Sequence, residues 1–150
     1  GLDPRFFAVL ANEPGCMGGA LTRGKTGETL EDICDSFPYF FAPRLRDYVG
    51  REAALPFDQH FLLALNAPRK LYVASAAQDF WADPISEFLG CAAASCAWEQ
   101  LGAPGLLGAD RLPRPGTVLS GGMIGYHLRE GEHYLSRYEW QRFLDFLEEA

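Results

Sequence analysis

Basic residues are in the minority. The chain has 13 Lys and Arg against 20 Asp and Glu, a net charge of −7. A protein that grips a phosphate backbone or an anionic membrane surface needs a basic face, so neither partner fits. No apolar run approaches the ~20 residues that a membrane span requires. No C-x-x-C and no H-E-x-x-H occurs, and the three histidines, His60, His127 and His133, fall in no zinc-ligand spacing. The four cysteines, Cys16, Cys34, Cys91 and Cys96, are unevenly spaced and read as free, largely buried thiols rather than a disulfide framework. The first five residues, Gly1 to Arg5, hold no initiator Met, no charged leader and no apolar leader core. They read as the start of a mature or truncated segment.

What is present is a globular composition. Hydrophobic residues make up 48% and charged residues 22% of 150, which suits one domain. The 16 glycines and 10 prolines require many loops.

Periodicity gives the elements. The apolar run Phe6 to Ala11 reads as a buried parallel strand. A glycine-rich loop, Glu13 to Ala20, follows. A short helix is expected over 26–34 with Thr26 as its N-cap, and a second over 59–66 capped by Asp58. Lys70 to Ser75 is the second strand. Pro84 opens a long helix to about Leu101 as a first-turn proline. Thr117 to Arg129 is strand-like, interrupted at Ser120-Gly121-Gly122, with Ile124 to Leu128 its surer part. Ser136 with Glu139 matches a capping box before a last helix, whose Trp140, Phe143, Leu144 and Leu147 share one face. Phe37, Tyr39, Phe40 and Phe41 read as core packing, His127 as core, and His60 as a hydrogen-bonded structural residue.

Strands alternating with helices argue an α/β fold with about three parallel strands. Ligands of such sheets sit outside the carboxyl ends of the strands. The loops there, Glu13–Gly19, Gln78–Pro84 and Glu130–His133, hold Glu13, Asp79, Trp81, Asp83 and His133. A carboxylate that orients an imidazole, and an imidazole that takes a nucleophile's proton, are two thirds of a hydrolase triad. Acid before His, with the His just ahead of the final helix, is the α/β-hydrolase order. No serine has the G-x-S-x-G setting between strand and helix. Ser120 comes nearest, but no helix follows it. Cys16, in its glycine-rich loop, is the alternative nucleophile.

These residues resemble a family. Asp3-Pro4-Arg5-Phe6, Asn12-Glu13-Pro14-Gly15-Cys16-Met17-Gly18-Gly19-Ala20-Leu21, Gly27-Glu28-Thr29, Leu55-Pro56-Phe57-Asp58-Gln59-His60, Ala67-Pro68-Arg69, Asp79-Phe80-Trp81-Ala82-Asp83-Pro84, and Ile124-Gly125-Tyr126-His127 with Gly131-Glu132-His133 look like the bacterial glucuronoyl esterases of carbohydrate esterase family 15. The resemblance covers nearly the whole chain. It implies a serine-type α/β-hydrolase that cleaves esters of (4-O-methyl-)glucuronic acid on xylan with lignin alcohols, secreted or periplasmic, needing no cofactor and no metal. It implies Glu13 as the triad acid, His133 as the base, Asp79 as an alternative acid and Trp81 as a glucuronate contact. The family's Ser nucleophile, with its Arg and Lys, would lie upstream of Gly1. Residues 1–150 are then a single segment, the C-terminal part of an α/β-hydrolase fold without the nucleophile-elbow half. Tyr134 follows His133, which excludes the disulfide that fungal members make there. Cys91 matches one half of another fungal disulfide, but Leu21 stands where its partner is expected. Two other readings stay open: an inactive fragment that binds a uronate or a partner chain, and a different carbohydrate esterase such as an acetyl xylan esterase. With the nucleophile strand missing, the edge at 6–11 would invite self-association.

Overall fold

The computed structural model describes residues 2–148; Gly1, part of the opening segment read above, lies outside them. Four strands form one sheet: β1 (Ala8–Asn12), β2 (Lys70–Ala76), β3 (Thr117–Leu119) and β4 (Ile124–Arg129). Their order is β1-β2-β4-β3. β1, β2 and β4 run parallel, with Val9 opposite Leu71 and Val73 opposite Tyr126. β3 is antiparallel to β4, so the strand-like stretch broken at Ser120-Gly121-Gly122 is a hairpin rather than one more parallel strand. The helices are α1 (Leu30–Ser36), α2 (Gln59–Ala64), α3 (Pro84–Gln100) and α4 (Arg137–Glu148). None is long and apolar enough to cross a membrane.

The period of two in the strands sorts side chains to the two faces. Leu71, Val73, Ile124, Tyr126 and Leu128 meet Phe88, Cys91, Ala94 and Trp98 of α3. Tyr72 and Ala74 meet Phe143 and Phe146 of α4 on the other side. Trp98 is fully buried and donates its indole N–H to the Arg69 carbonyl at 3.0 Å. Truncating such a ring costs about 3–5 kcal/mol. Gly90 lets the glycine-rich loop lie against α3, since a Cβ there would meet the Gly19 carbonyl oxygen at 2.3 Å.

Several elements differ from their sequence expectation for identifiable reasons. The first strand begins at Ala8, not Phe6. The Arg69 guanidinium binds the carbonyls of Asp3 and Phe6 at 2.9 and 2.7 Å and turns the preceding chain outward, leaving Phe6 and Phe7 exposed. Helix α1 starts at Leu30 because Thr29, not Thr26, is its cap, in a reciprocal box with Asp32. The Thr26 amide instead binds Asp83. In α4 the buried stripe runs Glu139, Phe143 and Phe146, with Leu147 beside it, while Trp140 and Leu144 are exposed. The helix is rotated to bring Glu139 to Arg129. Phe37, Tyr39 and Phe40 pack on one another at the surface and are exposed, so they are not core. His60 Nδ1 is buried without a hydrogen bond, which corrects its reading as a satisfied residue. Cys16, Cys34 and Cys91 are buried free thiols, whereas Cys96 is exposed.

Candidate active site

The loops that leave β1, β2 and β4 meet at one end of the sheet, because parallel strands deliver their carboxyl ends to one edge. The first loop is bent at once. Glu13 has φ 45°, left-handed and costly for a residue with a Cβ. Two contacts hold it: its amide donates to the Ala74 carbonyl at 2.7 Å, and the Gly15 amide donates to Glu87 Oε1 at 2.8 Å. The second loop is tied by Asp83, which caps α3 and accepts from the Ser86 amide and hydroxyl and from the Thr26 amide. Burial pushes the Asp83 carboxyl upward, but these hydrogen bonds outweigh it and hold it below its ordinary value.

Glu13, Asp79 and His133 come together here. His133 Nδ1 lies 2.8 Å from Asp79 Oδ2 and 3.3 Å from Glu13 Oε2. Both carboxylates are buried, while the imidazole is 66% exposed. Its Nε2 has no partner among the described residues. The two acids are held differently. Glu13 receives Arg129 Nη2 at 2.8 Å, the Tyr134 amide at 2.7 Å and Asn12 Nδ2 at 3.3 Å. Among the described residues, Asp79 Oδ1 takes only the Ala82 amide at 3.2 Å, and its Oδ2 meets only His133. Desolvation raises the Glu13 carboxyl, against the pull of the Tyr134 amide, Arg129 and His133.

Beneath them sits a third carboxyl. Glu87 on α3 is fully buried and accepts from the Ser75 hydroxyl at 2.5 Å as well as from the Gly15 amide. Burial pushes it to about 8, with Asp79 and Glu13 adding to the shift. A neutral Glu87 spares the site a third negative charge. Trp81 lies on the Asp79 loop and is 59% exposed. The segment 25–28 supports it. Lys25 Nζ donates to the Ala82 carbonyl at 2.9 Å, and the Glu28 amide donates to the Trp81 carbonyl at 2.8 Å.

Glu28, Glu87 and Arg129 escape sequence reasoning, and Glu139 is legible only as the capping-box partner of Ser136, from whose amide it accepts, and not as a partner of Arg129. A charged residue within a mostly apolar stretch, as at Glu87, is the one signal that points to any of the other three. His127, read as core, is fully buried, with Nδ1 3.1 Å from the Tyr72 hydroxyl. Desolvation lowers its pKa to about 4. Cys16 is buried and its thiol is pushed up to about 12, which leaves little thiolate for a nucleophile. Ser120 stands in the β3–β4 hairpin, and no serine hydrogen-bonds His133 among the described residues. Glu13, Asp79 and His133 also offer three atoms within 4.8 Å of one another that could hold a metal ion. A cation there would displace the Asp79–His133 bond and sit beside the Arg129 guanidinium, so the donor set suits a proton better.

Parallel strands flanked by helices, with these loops at the carboxyl edge, make this the C-terminal part of an α/β-hydrolase fold. The family model for glucuronyl esterase of fungi matches residues 2–102. Carbohydrate esterase MZ0003, from an unknown prokaryotic organism, is 41% identical over 97% of this chain and 33% of its own length. The 4-O-methyl-glucuronoyl methylesterase of Podospora anserina is 34% identical over 68% of this chain and 23% of its own. The solved glucuronoyl esterase from Solibacter usitatus superposes with a TM-score of 0.89 at 40% identity, over 97% of this chain and 37% of that one. The chain belongs to the glucuronoyl esterase family, and it spans about a third or less of the length of these relatives.

Proposed function

We propose that this chain supplies the acid and the base of a serine-type ester hydrolase acting on esters of (4-O-methyl-)glucuronic acid, of the kind that join xylan to lignin alcohols. One observation carries the reading: His133 keeps Nδ1 on a buried carboxylate while Nε2 stays open on an exposed ring. In that state Nε2 takes the proton of an attacking hydroxyl and later returns it to the departing alcohol. Asp79 is the principal orienting acid, since its Oδ2 has no competing donor among the described residues. Glu13 stabilises the imidazolium from slightly farther away. Trp81 and the Glu28 carboxyl form a wall with a ring face and polar atoms, which suits a sugar. The six serines, Ser36, Ser75, Ser86, Ser95, Ser120 and Ser136, all stand elsewhere, so the nucleophile is proposed to come from outside residues 1–150.

The test is hydrolysis of a benzyl glucuronate ester, with an acetylated xylo-oligosaccharide as the competing substrate. The 150-residue chain alone is expected to be inactive. Joined to the nucleophile-bearing segment of the Solibacter usitatus relative it is expected to cleave the glucuronate ester, and His133→Ala is expected to abolish that cleavage. Hydrolysis by the chain alone that survives His133→Ala would overturn the reading. Preference for the acetyl ester would move the function to acetyl xylan esterase.

A further inference from the structure

Arg129 is the last residue of β4, four residues before His133. Its side chain is 14% exposed and every nitrogen of the guanidinium is engaged. Nε pairs with the Glu139 carboxylate of α4. Nη1 donates to the Glu130 carbonyl at 2.9 Å. Nη2 faces Glu13 Oε1 at 2.8 Å and the carbonyls of Glu132 at 2.9 Å and Tyr134 at 2.6 Å. The guanidinium thus grips the loop that carries His133 on both sides of the imidazole.

We infer that Arg129 is the positioning residue of this site: one planar guanidinium clamps the His133 loop by three carbonyls and fixes Glu13 beside the ring, so that Nδ1 stays on Asp79. The inference rests on the reading of His133 as the base and deepens it. His133 is too exposed to be fixed by packing. The loop between β4 and α4 has no strand or helix of its own, and its other backbone ties are few. The Gln78 amide reaches the Gly131 carbonyl at 2.9 Å, and the Ser136 amide reaches Glu139 Oε2. Orientation therefore comes from hydrogen bonds: Arg129 supplies three of them to the loop carbonyls, and it also fixes Glu13, which accepts from the Tyr134 amide at 2.7 Å. The fork is needed for its shape. Its donors lie in one plane and spread to both loop carbonyls and carboxylates, which a lysine ammonium, a compact point charge, does not reproduce. The charge is needed too, because Glu13 and Glu139 are both buried and the neighbouring His127 is held neutral by burial.

The experiment is NMR on residues 1–150, segmentally labelled and joined to the nucleophile-bearing segment of the Solibacter usitatus relative so that the β1 edge is covered; it needs no hydrolysis, so it stands or falls apart from the esterase reading. In the unsubstituted chain the Arg129 Nη protons are expected to resolve separately through hindered rotation, and neutral His133 to carry its proton on Nδ1. Fast, averaged Arg129 Nη signals would overturn the inference, and this measurement needs no variant to fold. In Arg129→Lys, exchange of the Tyr134 amide is expected to accelerate by roughly tenfold or more, as for loss of a hydrogen bond to a charged group. The His133 proton is expected to redistribute toward Nε2. A merely structural role would lower the melting temperature and leave the His133 tautomer unmoved; that outcome, with native-like Tyr134 exchange, also overturns the inference.

Discussion

Asp79 Oδ2 lies 2.8 Å from His133 Nδ1, and no other donor among the described residues claims that oxygen. Glu13 reaches the same nitrogen only at 3.3 Å, because its oxygens are already taken by Arg129, the Tyr134 amide and Asn12. The two acids therefore divide the work. In the function proposed above, Asp79 sets the tautomer of the imidazole, and Glu13 adds charge from a fixed distance. In a chain completed with a nucleophile segment, Asp79→Asn is expected to lower kcat by ~10³–10⁴-fold, since an amide invites the wrong tautomer. Glu13→Gln is expected to cost about tenfold or less, from a weakened ion pair rather than a lost orientation. Steady-state kinetics on a glucuronate ester decides this; a larger loss in Glu13→Gln would reverse the assignment.

Glu87 makes the fold sensitive to pH. A carboxyl whose folded pKa is raised binds more protons folded than unfolded between its unfolded value, near 4.5, and about 8. Stability then falls as pH rises through that window, by up to about 1.4 kcal/mol per pH unit. The raised Glu13 adds a change of the same sign. Glu87→Gln keeps an acceptor for the Gly15 amide and places an N–H where Glu87 accepts from Ser75, so that the Ser75 oxygen becomes the acceptor, but it cannot ionise. Urea unfolding from pH 5 to 9 is expected to show a flatter profile for the variant and a gain over the parent at the alkaline end. Parallel profiles would mean that Glu87 is not neutral in the fold.

The parts that sequence reveals and the parts it hides have different physical origins. Parallel strands Lys70–Ala76 and Ile124–Arg129 announce themselves as apolar runs, and Pro84 marks the start of α3, because those signals are local. The acid and His loops follow from strand direction alone. Arg129, Glu139 and Glu87 do not, because a buried ionisable group is tolerated only when its tertiary surroundings supply partners, and those are not visible in a local stretch of sequence. Arg129 and Glu13 are 116 residues apart. A second pairing of Arg129, with Glu139 at the start of α4, sets the rotation of that helix, so the apolar face read from Trp140 and Leu144 turns to solvent. Phe6 and Phe7 mimic a strand in composition, and only the distant Arg69 turns them out of the sheet.

Gly27 has a steric role in holding the Trp81 loop. A Cβ there would meet the carbonyl oxygens of Trp81 at 2.3 Å and Phe80 at 2.4 Å, both backbone atoms that cannot swing aside. Gly27→Ala is expected to push the loop away and break the Glu28–Trp81 contact. Asp79, two residues earlier, is anchored separately through the Ala82 amide and His133, so the imidazole is expected to keep its partner. The completed enzyme should therefore lose substrate binding more than turnover: KM up roughly tenfold, worth about 1.4 kcal/mol, with kcat nearly kept. A shifted Trp81 fluorescence maximum would accompany it. An unchanged KM would remove Trp81 from the sugar wall.

The free edge of β1 offers the last expectation. β1 pairs with β2 on one side only, and it is the end of the strand order. The Glu13 amide points to β2, where it meets Ala74. In a parallel strand amides alternate in direction, so those of Ala8, Leu10 and Asn12 point away from β2. Exposed Phe6 and Phe7 precede that row of donors, and an open, apolar edge pairs with another chain. The isolated chain is expected to self-associate at ~100 μM, within the micromolar-to-millimolar range where unpaired edges aggregate. Ala8→Pro removes an outward donor without touching the β1–β2 ladder, and Pro is tolerated at the start of an edge strand. It should shift sedimentation velocity profiles toward monomer while leaving the circular dichroism spectrum unchanged. If the unsubstituted chain sediments as a clean monomer at that concentration, the edge is protected by something other than a neighbouring strand, and pairing through β1 is not its property.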